Sequence, residues 1–468
     1  MNMTLDAIAR ALTGTGLPGP EGARVVTTVR TDSREVKPGD LFVCLKGENF
    51  DAHDFAAQVA QAGAAAIVAA HALADVACPV ILVDDTLLAL GRLARAWRDM
   101  TSAKVVAITG TAGKTTVKEL LAQTLAHSKN VAKNHKNFNN QVGLPLSMLA
   151  ASGQEDAWVM EVGISKPHDM AELGVIIAPD LALVLNIGPA HLEGLGSIEG
   201  VAEAKASLLA HVREGGLGLC SMDYPELWDA ALEVFPGVVG FSAQNSFATY
   251  YARFEEALSG GRGLYEIIVD GESFWAELPA CGAHFAENAA AVAGACHMLG
   301  LSTDQIAEGL GKAELPGQRF CCSEVGGWCV VDDSYNANPL SMRRSMEAAR
   351  LLAGGAPLVL VLGDMKELGA GAEKAHEELG ALLPKLAPAA VFFQGEFAAA
   401  VAKGAGSAIA VTKISEPAQV LAHMPLLDAS KAAARGVVLV KGSRSCRMEL
   451  YAKGLLDGLA ETTNGGRA

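Results

Sequence analysis

Short apolar runs that stop at Gly, Asp or Asn recur along the chain, each followed by a longer segment with apolar residues three and four apart. A run of roughly four to eight apolar residues fits one buried strand, and the helical period after it predicts βαβ units. GDLFVCLKG (39–47), AAAIVAA (64–70) and CPVILVDD (78–85) read as strands of a small α/β unit, with LLALGRLARAWRDM (87–100) as the helix leading out of it. A second series starts at KVVAITG (104–110) and continues through AWVMEVG (157–163), LALVLNIG (181–188) and GLGLC (216–220), with LYEIIVD (264–270) and SFWAELPA (273–280) expected to be antiparallel. A third runs through WCVVDDSY (328–335), PLVLVLGDM (357–365), AAVFFQG (389–395) and GVVLVKGS (436–443). The predicted class is therefore α/β in three domains, 1–100, 101–312 and 313–468. MNMTLDAIARAL at the start reads as an amphipathic helix and ETTNGGRA at the end as frayed.

Length agrees, since 468 residues exceed one ordinary core and give roughly three domains. A formal charge of −15 argues against a general nucleic-acid or membrane-surface binder, so an anionic substrate must be held by local cationic groups. The nine cysteines lack CxxC or zinc-finger spacing, which reads as reduced thiols in a cytosol. No segment reaches the roughly 18 uninterrupted apolar residues of a membrane span, and a cytoplasmic protein without stable membrane insertion is expected.

The strongest local signal is the strand VVAITG entering Gly110-Thr111-Ala112-Gly113-Lys114-Thr115-Thr116 and then the helical VKELLAQTLA. Glycines let backbone amides converge on phosphate oxygens, the helix N-terminus adds partial positive charge, Lys114 neutralises the outer phosphates, and Thr115 can reach magnesium. The spacing departs from GxxxxGK[ST], because Ile108 stands where that pattern has glycine. Glu161 ends one predicted strand and His191 follows the next, so both are candidates for a nucleotide-bound metal; a helix-capping carboxylate and a hydrogen-bonded loop histidine are the alternatives. Lys205 is the only lysine between Lys166 and Lys312, and taken alone it reads as a solvated helix charge.

The loop ITGTAGKTT, followed in order by NFNNQVGLPLS, EVG, NIGPAHLEGLGS and AEAKASLL, resembles the Mur ligase family, which joins an amino acid or peptide to a UDP-linked muramoyl precursor. TDSREVKPGDLFVCLKGENFDAHDF at the front, then DDSYNANPLSM, GDMKELG and KGSRS, are similar to the branch that adds D-alanyl-D-alanine to a UDP-N-acetylmuramoyl-tripeptide. The resemblance implies a UDP-substrate-binding N-terminal domain, a central P-loop ATPase domain and a Rossmann-like C-terminal domain that closes over the site. ATP is then the co-substrate and the peptide is activated as an acyl phosphate. Ser33 and Arg34 are expected at the uridine nucleotide, Asn139 and Asn140 at the substrate, and Ser443 and Arg444 at the incoming dipeptide. Thr115 and Glu161 would hold one Mg2+; His191 and a carbamylated Lys205, an N6-carboxylysine, would hold a second. Asn288 is expected at adenine, Arg319 at the phosphates and Asp333 at the ribose end, with Lys114, Lys205, His191 and Arg319 as the catalytic set.

Two positions depart from the family pattern. Phe285 replaces the Asn that commonly follows the family histidine, and ASLL follows Lys205 where Gly-Glu is common. The Asp-Asn-Pro-Arg motif of the diaminopimelate-adding ligases is absent from the chain. Taken without the resemblance, DDSYNANP reads equally as a strand and an Asx-rich turn, GDMKELG as a helix cap and KGSRS as a solvated basic loop.

Overall fold

Continuous apolar runs become parallel strands because only strands covered on both faces can afford no polar side. The structure, a computed structural model, describes residues 1–135, 137–189, 192–424 and 436–465. It resolves into two compact units: one comprises residues 1–109, 128–182 and 207–218, the other 110–127, 183–206 and 219–468.

In the first unit the strands Val29–Arg30, Leu41–Val43, Ala66–Ala69 and Val80–Leu82 lie in that order as a parallel sheet, with Phe42, Val59 and Ile67 buried in its core. The helix Thr86–Met100 starts at Asp85, whose carboxylate accepts the N–H groups of Leu87 and Leu88. Buried Arg98 in its last turn meets Asp180 at 2.6 Å, and the same carboxylate oxygen accepts the Val105 N–H at 2.7 Å. Asp180 thereby ties that helix to the strand Lys104–Thr109, which pairs in parallel with Ala157–Glu161, itself parallel to Val131–Lys133.

The second unit opens with the helix Lys114–Leu125. Val239–Ser242 runs parallel to Leu217–Ser221 and to Tyr250–Ala257, and Gly263–Val269 and Glu272–Leu278 then pair antiparallel, as expected for LYEIIVD and SFWAELPA. The C-terminal sheet has the order Cys321–Val325, Trp328–Asp333, Gly436–Lys441, Leu358–Gly363, Ala390–Gln394, Val411–Lys413, parallel except for its first strand. Its last strand in sequence sits between Trp328–Asp333 and Leu358–Gly363, where the strand order reverses. In open α/β sheets the crevice beyond the carboxyl ends at such a point is where ligands bind. DDSYNANP, KGSRS and GDMKELG lie at the carboxyl ends of these three neighbouring strands.

The closing helix runs Glu449–Gly465, so most of ETTNGGRA continues a helix instead of fraying. Among the described residues no helix is long and apolar enough to cross a membrane. All nine cysteines are free thiols.

Candidate active site

The phosphate loop is held from beneath by Asn186, whose backbone oxygen accepts the Thr111 N–H at 2.9 Å and whose side-chain oxygen accepts the Ala112 N–H at 2.8 Å. Gly113 precedes the helix with φ +81°, and a Cβ there would stand 2.8 Å from Asn288 Oδ1. Glycine is thus needed both for the left-handed turn and for the approach of Asn288. Gly110 is pressed by Leu185, whose Cβ would lie 2.9 Å from an added methyl. Lys114 Nζ donates to Gly110 O at 2.8 Å, folding the ammonium back over the loop, and Thr115 and Thr116 are buried in the first turn. Among the described residues, buried Thr111 Oγ1 and Asn288 Oδ1 have no hydrogen-bond partner. Two orphaned polar atoms beside a loop of this shape are what a bound nucleotide would satisfy.

Arg319 comes to this loop from the start of the C-terminal segment: its Nη2 donates to Thr115 Oγ1 at 3.0 Å, and its guanidinium lies 4.2 Å from the centre of the Tyr335 ring. The residues on either side of it are strained, with Gln318 at φ +63° and Phe320 at φ +58°. A non-glycine residue in that region costs roughly 1–2 kcal/mol. The surroundings enforce it, since Gln318 O accepts the Tyr335 N–H at 3.1 Å and Asp333 Oδ1 accepts the Phe320 N–H at 3.2 Å. Strain of this kind, held in place by neighbours, fixes the direction in which Arg319 points. Phe285, the departure from the family pattern, is buried and packs on Phe320 with ring centres 5.8 Å apart.

Asp333 is engaged at its other oxygen by Lys441 Nζ at 2.6 Å and Ser345 Oγ at 2.5 Å. Ser443 is 2% exposed: its Oγ accepts the Lys366 N–H at 2.9 Å, and its N–H donates to Asp364 O at 3.0 Å. Asp364, also buried, accepts the N–H groups of Glu396 and Phe397. KGSRS is therefore not a plain solvated loop; its Lys441 and Ser443 are buried and brace the other two motifs, while Arg444, with 59% of its side chain exposed, and Ser445 are open. DDSYNANP does end in a cap, because Asn338 closes a capping box on the helix Pro339–Ala353, and its Nδ2 additionally donates to Thr111 O at 3.3 Å.

Lys205 is 3% exposed on the helix Ile198–Ala206, which overturns the reading of a solvated charge. Burial, and after it the charge of Lys114, hold its amine well below the usual lysine range. His191 lies outside the described residues.

The other expected residues belong to the first unit. Arg34 pairs with Asp32 at 2.5 Å in the turn Ser33–Glu35, and these hydrogen bonds pull the Asp32 carboxyl down to about 2. Glu161 is buried at the end of its strand, where its Oε1 accepts from Asn139 Nδ2 at 2.7 Å. Asn134 brackets the Glu161 peptide, receiving its N–H and donating to its oxygen, both at 3.0 Å. Asn140 Oδ1 accepts the N–H groups of Val142 and Gly143, the entry to the helix Gly143–Ala150. Asn139 thus orients the carboxylate and Asn140 starts a helix. Sequence reasoning passed over Asn186, Asn338 and Lys441, although each stands inside a motif it quoted; their roles depend on partners distant in the chain.

Comparison with known proteins agrees with this arrangement. Residues 25–98 match the model of the Mur ligase family, catalytic domain, residues 108–296 that of the Mur ligase middle domain, and residues 318–444 that of the Mur ligase, glutamate ligase domain. A UDP-N-acetylmuramoyl-tripeptide--D-alanyl-D-alanine ligase of Bacillus subtilis (strain 168) is 33% identical over 97% of this chain and 98% of its own. Crystal structure I of MurF from Acinetobacter baumannii superposes with a TM-score of 0.86 at 29% identity, over 98% of this chain and 99% of that one. MurF ligase from Thermotoga maritima in complex with ADP gives a TM-score of 0.82 at 30% identity, over 93% and 99%. With a phosphate loop, an arginine brought to it from the C-terminal segment, and matches along nearly the whole length, the chain belongs to the Mur ligase family, with that family's three α/β domains.

Proposed function

We propose that the chain is an ATP-dependent ligase that joins D-alanyl-D-alanine to the terminal carboxylate of a UDP-N-acetylmuramoyl-tripeptide, a step of peptidoglycan synthesis. The single observation that carries the chemistry is the contact of Arg319 with Thr115 on the phosphate loop. The acceptor is argued from the near full-length similarity to ligases named for that dipeptide. We assign residues 1–100 to the UDP-substrate, 101–312 to ATP and 313–468 to closure and the incoming amine. The free thiols suit a reducing compartment, the cytoplasm.

A carboxylate is a poor electrophile because its leaving group would be oxide. Transfer of the γ-phosphoryl group of ATP to a carboxylate oxygen makes an acyl phosphate and ADP. The amine then attacks the acyl carbon, the tetrahedral intermediate expels phosphate, and the nitrogen gives up a proton. The loop amides, Lys114 and Arg319 supply donors to the oxygens on which charge develops, which is the main catalytic demand of phosphoryl transfer. Asn288, next to the loop, is assigned to adenine, and Asp333, held by Lys441, to the ribose end.

Magnesium would bring Lewis-acid charge to the phosphates when bound. Mg2+ prefers oxygen ligands and keeps several waters, and Thr115 Oγ1 on the loop is a donor of that kind; Glu161 is assigned to the same ion from the family resemblance alone. For Lys205 we propose carbamylation. Only a neutral amine adds to CO2, and burial favours that form here; the nitrogen bonds to the CO2 carbon and releases a proton to solvent, and the product is an anion, so the repulsion between Lys205 and Lys114 becomes attraction. The carbamate, with His191, would offer oxygen and nitrogen to a second ion.

The deciding experiment is mass analysis of products from ATP, UDP-muramoyl-tripeptide and D-Ala-D-Ala. The UDP-muramoyl-pentapeptide with stoichiometric ADP and phosphate is expected. A phosphorylated product without ligation would instead identify a kinase.

A further inference from the structure

The buried polar groups that this chemistry leaves unused converge on Glu287. This carboxylate is 2% exposed on the helix His284–Met298. Its Oε2 accepts from Arg344 Nη2 at 2.6 Å and from Asn186 Nδ2 and Tyr224 Oη at 3.5 Å each, and its Oε1 accepts from Ser221 Oγ at 3.3 Å. Arg344 also donates to the Tyr224 hydroxyl. Asn186 is the residue that carries the Thr111 and Ala112 N–H groups. Arg344 and Asn338 stand on the same helix, Pro339–Ala353 with its cap, so that helix reaches the loop twice: directly through Asn338 to Thr111 O, and indirectly through Glu287 and Asn186.

A buried ion pair is weak evidence for stability, since desolvating both charges offsets most of their attraction. What it supplies is geometry, because the planar guanidinium fixes the carboxylate it meets. Here the fixed carboxylate in turn engages the amide that holds the loop. We propose that Arg344 and Glu287 are positioning residues, which set the Thr111–Ala112 backbone for ATP through Asn186 when the helix Pro339–Ala353 is docked. The proposal rests on reading Gly110–Thr116 as the ATP loop.

The test uses the full-length enzyme, with steady-state kinetics for each substrate and calorimetric binding of ADP. Glu287→Gln and Arg344→Gln should each raise the KM for ATP and the Kd for ADP by about tenfold, or about 1.4 kcal/mol. The KM for the UDP-substrate should stay within about twofold. Because the two residues act in series, the double variant, which leaves neither charge buried alone, should lose no more than the worse single variant. Arg344→Lys, which keeps the charge without the fork, should fall between wild type and Arg344→Gln, and it answers the question if the other variants fail to fold. Unchanged ATP and ADP constants in folded variants, or losses that add, would overturn the proposal. Lys114→Ala separates the two claims. If it abolishes ATP use while Arg344→Gln leaves the ATP constants alone, only the positioning role falls; if it leaves ATP use intact, the loop reading falls and takes this one with it.

Discussion

Two lysines with opposite demands meet in the site. In the proposed reaction Lys114 meets phosphate as a cation, whereas burial, and after it the charge of Lys114, lower the pKa of the Lys205 amine. Lys114→Ala should leave the fold intact, because the side chain is only partly buried and folds back over the loop to Gly110 O. Turnover should drop by well over tenfold, and a loss under about 1.4 kcal/mol in activation free energy, read from kcat at saturating ATP, would count against the loop assignment. For Lys205 the sign matters: its lowered pKa raises the share of the CO2-reactive neutral amine at a given pH above that of an ordinary lysine, which favours carbamylation. With 13C-labelled bicarbonate the wild-type protein should show a carbamate carbon resonance that Lys205→Ala lacks, and a short added carboxylic acid should restore part of the activity of that variant. A missing resonance together with full activity of unrescued Lys205→Ala would remove the lysine from the metal site.

At the scale of elements, the helix Pro339–Ala353 shows how one side chain can serve both folding and the site. Asn338 caps it with its carbonyl oxygen and reaches Thr111 O with its amide. Serine ranks with asparagine as an N-cap but has no amide to spare, so Asn338→Ser should hold the melting temperature near wild type and raise the KM for ATP several-fold. Asn338→Ala should lose both, with about 1 kcal/mol of stability gone by chemical denaturation. Equal ATP constants for Asn338→Ser and wild type would reduce the residue to a plain cap. Elements were legible in the sequence where a strand is buried on both faces: KVVAIT, LVLVLG and GVVLVK carry no polar position until their ends, and those ends are where the site lies. Val131–Lys133, Val411–Lys413 and Cys321–Val325 were not legible, because they are short or half polar and are strands only through their partners. The loop and its glycines announced themselves through local geometry. Asn186, Lys441 and the pair Glu287 with Arg344 did not, since nothing local distinguishes a buried asparagine or lysine in a motif from its neighbours until distant segments are brought together.

At the scale of the molecule, a chain carrying a net charge of −15 must hold its anionic substrates with local cationic groups. In the C-terminal segment Tyr335 lies beneath two guanidinium groups, Arg319 at 4.2 Å and Arg444 at 5.9 Å from its ring centre. Arg319 turns to the phosphate loop through Thr115, whereas the Arg444 guanidinium, 59% exposed, meets Gln318 Oε1 at 3.3 Å and the half-buried Glu449 at 3.5 Å. Exposed pairs of that kind are worth little, so Arg444 can exchange them for another anion at small cost. The carboxylate of an incoming dipeptide is the anion that must be placed near the activated carbonyl but one residue away from the reacting amine. A cation set for that distance serves a single amino acid poorly, which gives the acceptor preference a physical basis. Arg444→Ala should therefore raise the KM for D-Ala-D-Ala much more than that for ATP, and wild type should prefer D-Ala-D-Ala over D-Ala, L-Ala-L-Ala or diaminopimelate. Should the enzyme instead add diaminopimelate to the UDP-muramoyl-dipeptide and refuse D-Ala-D-Ala on the tripeptide, the acceptor assignment would fall while the phosphate loop, Arg319 and the ligase class would stand.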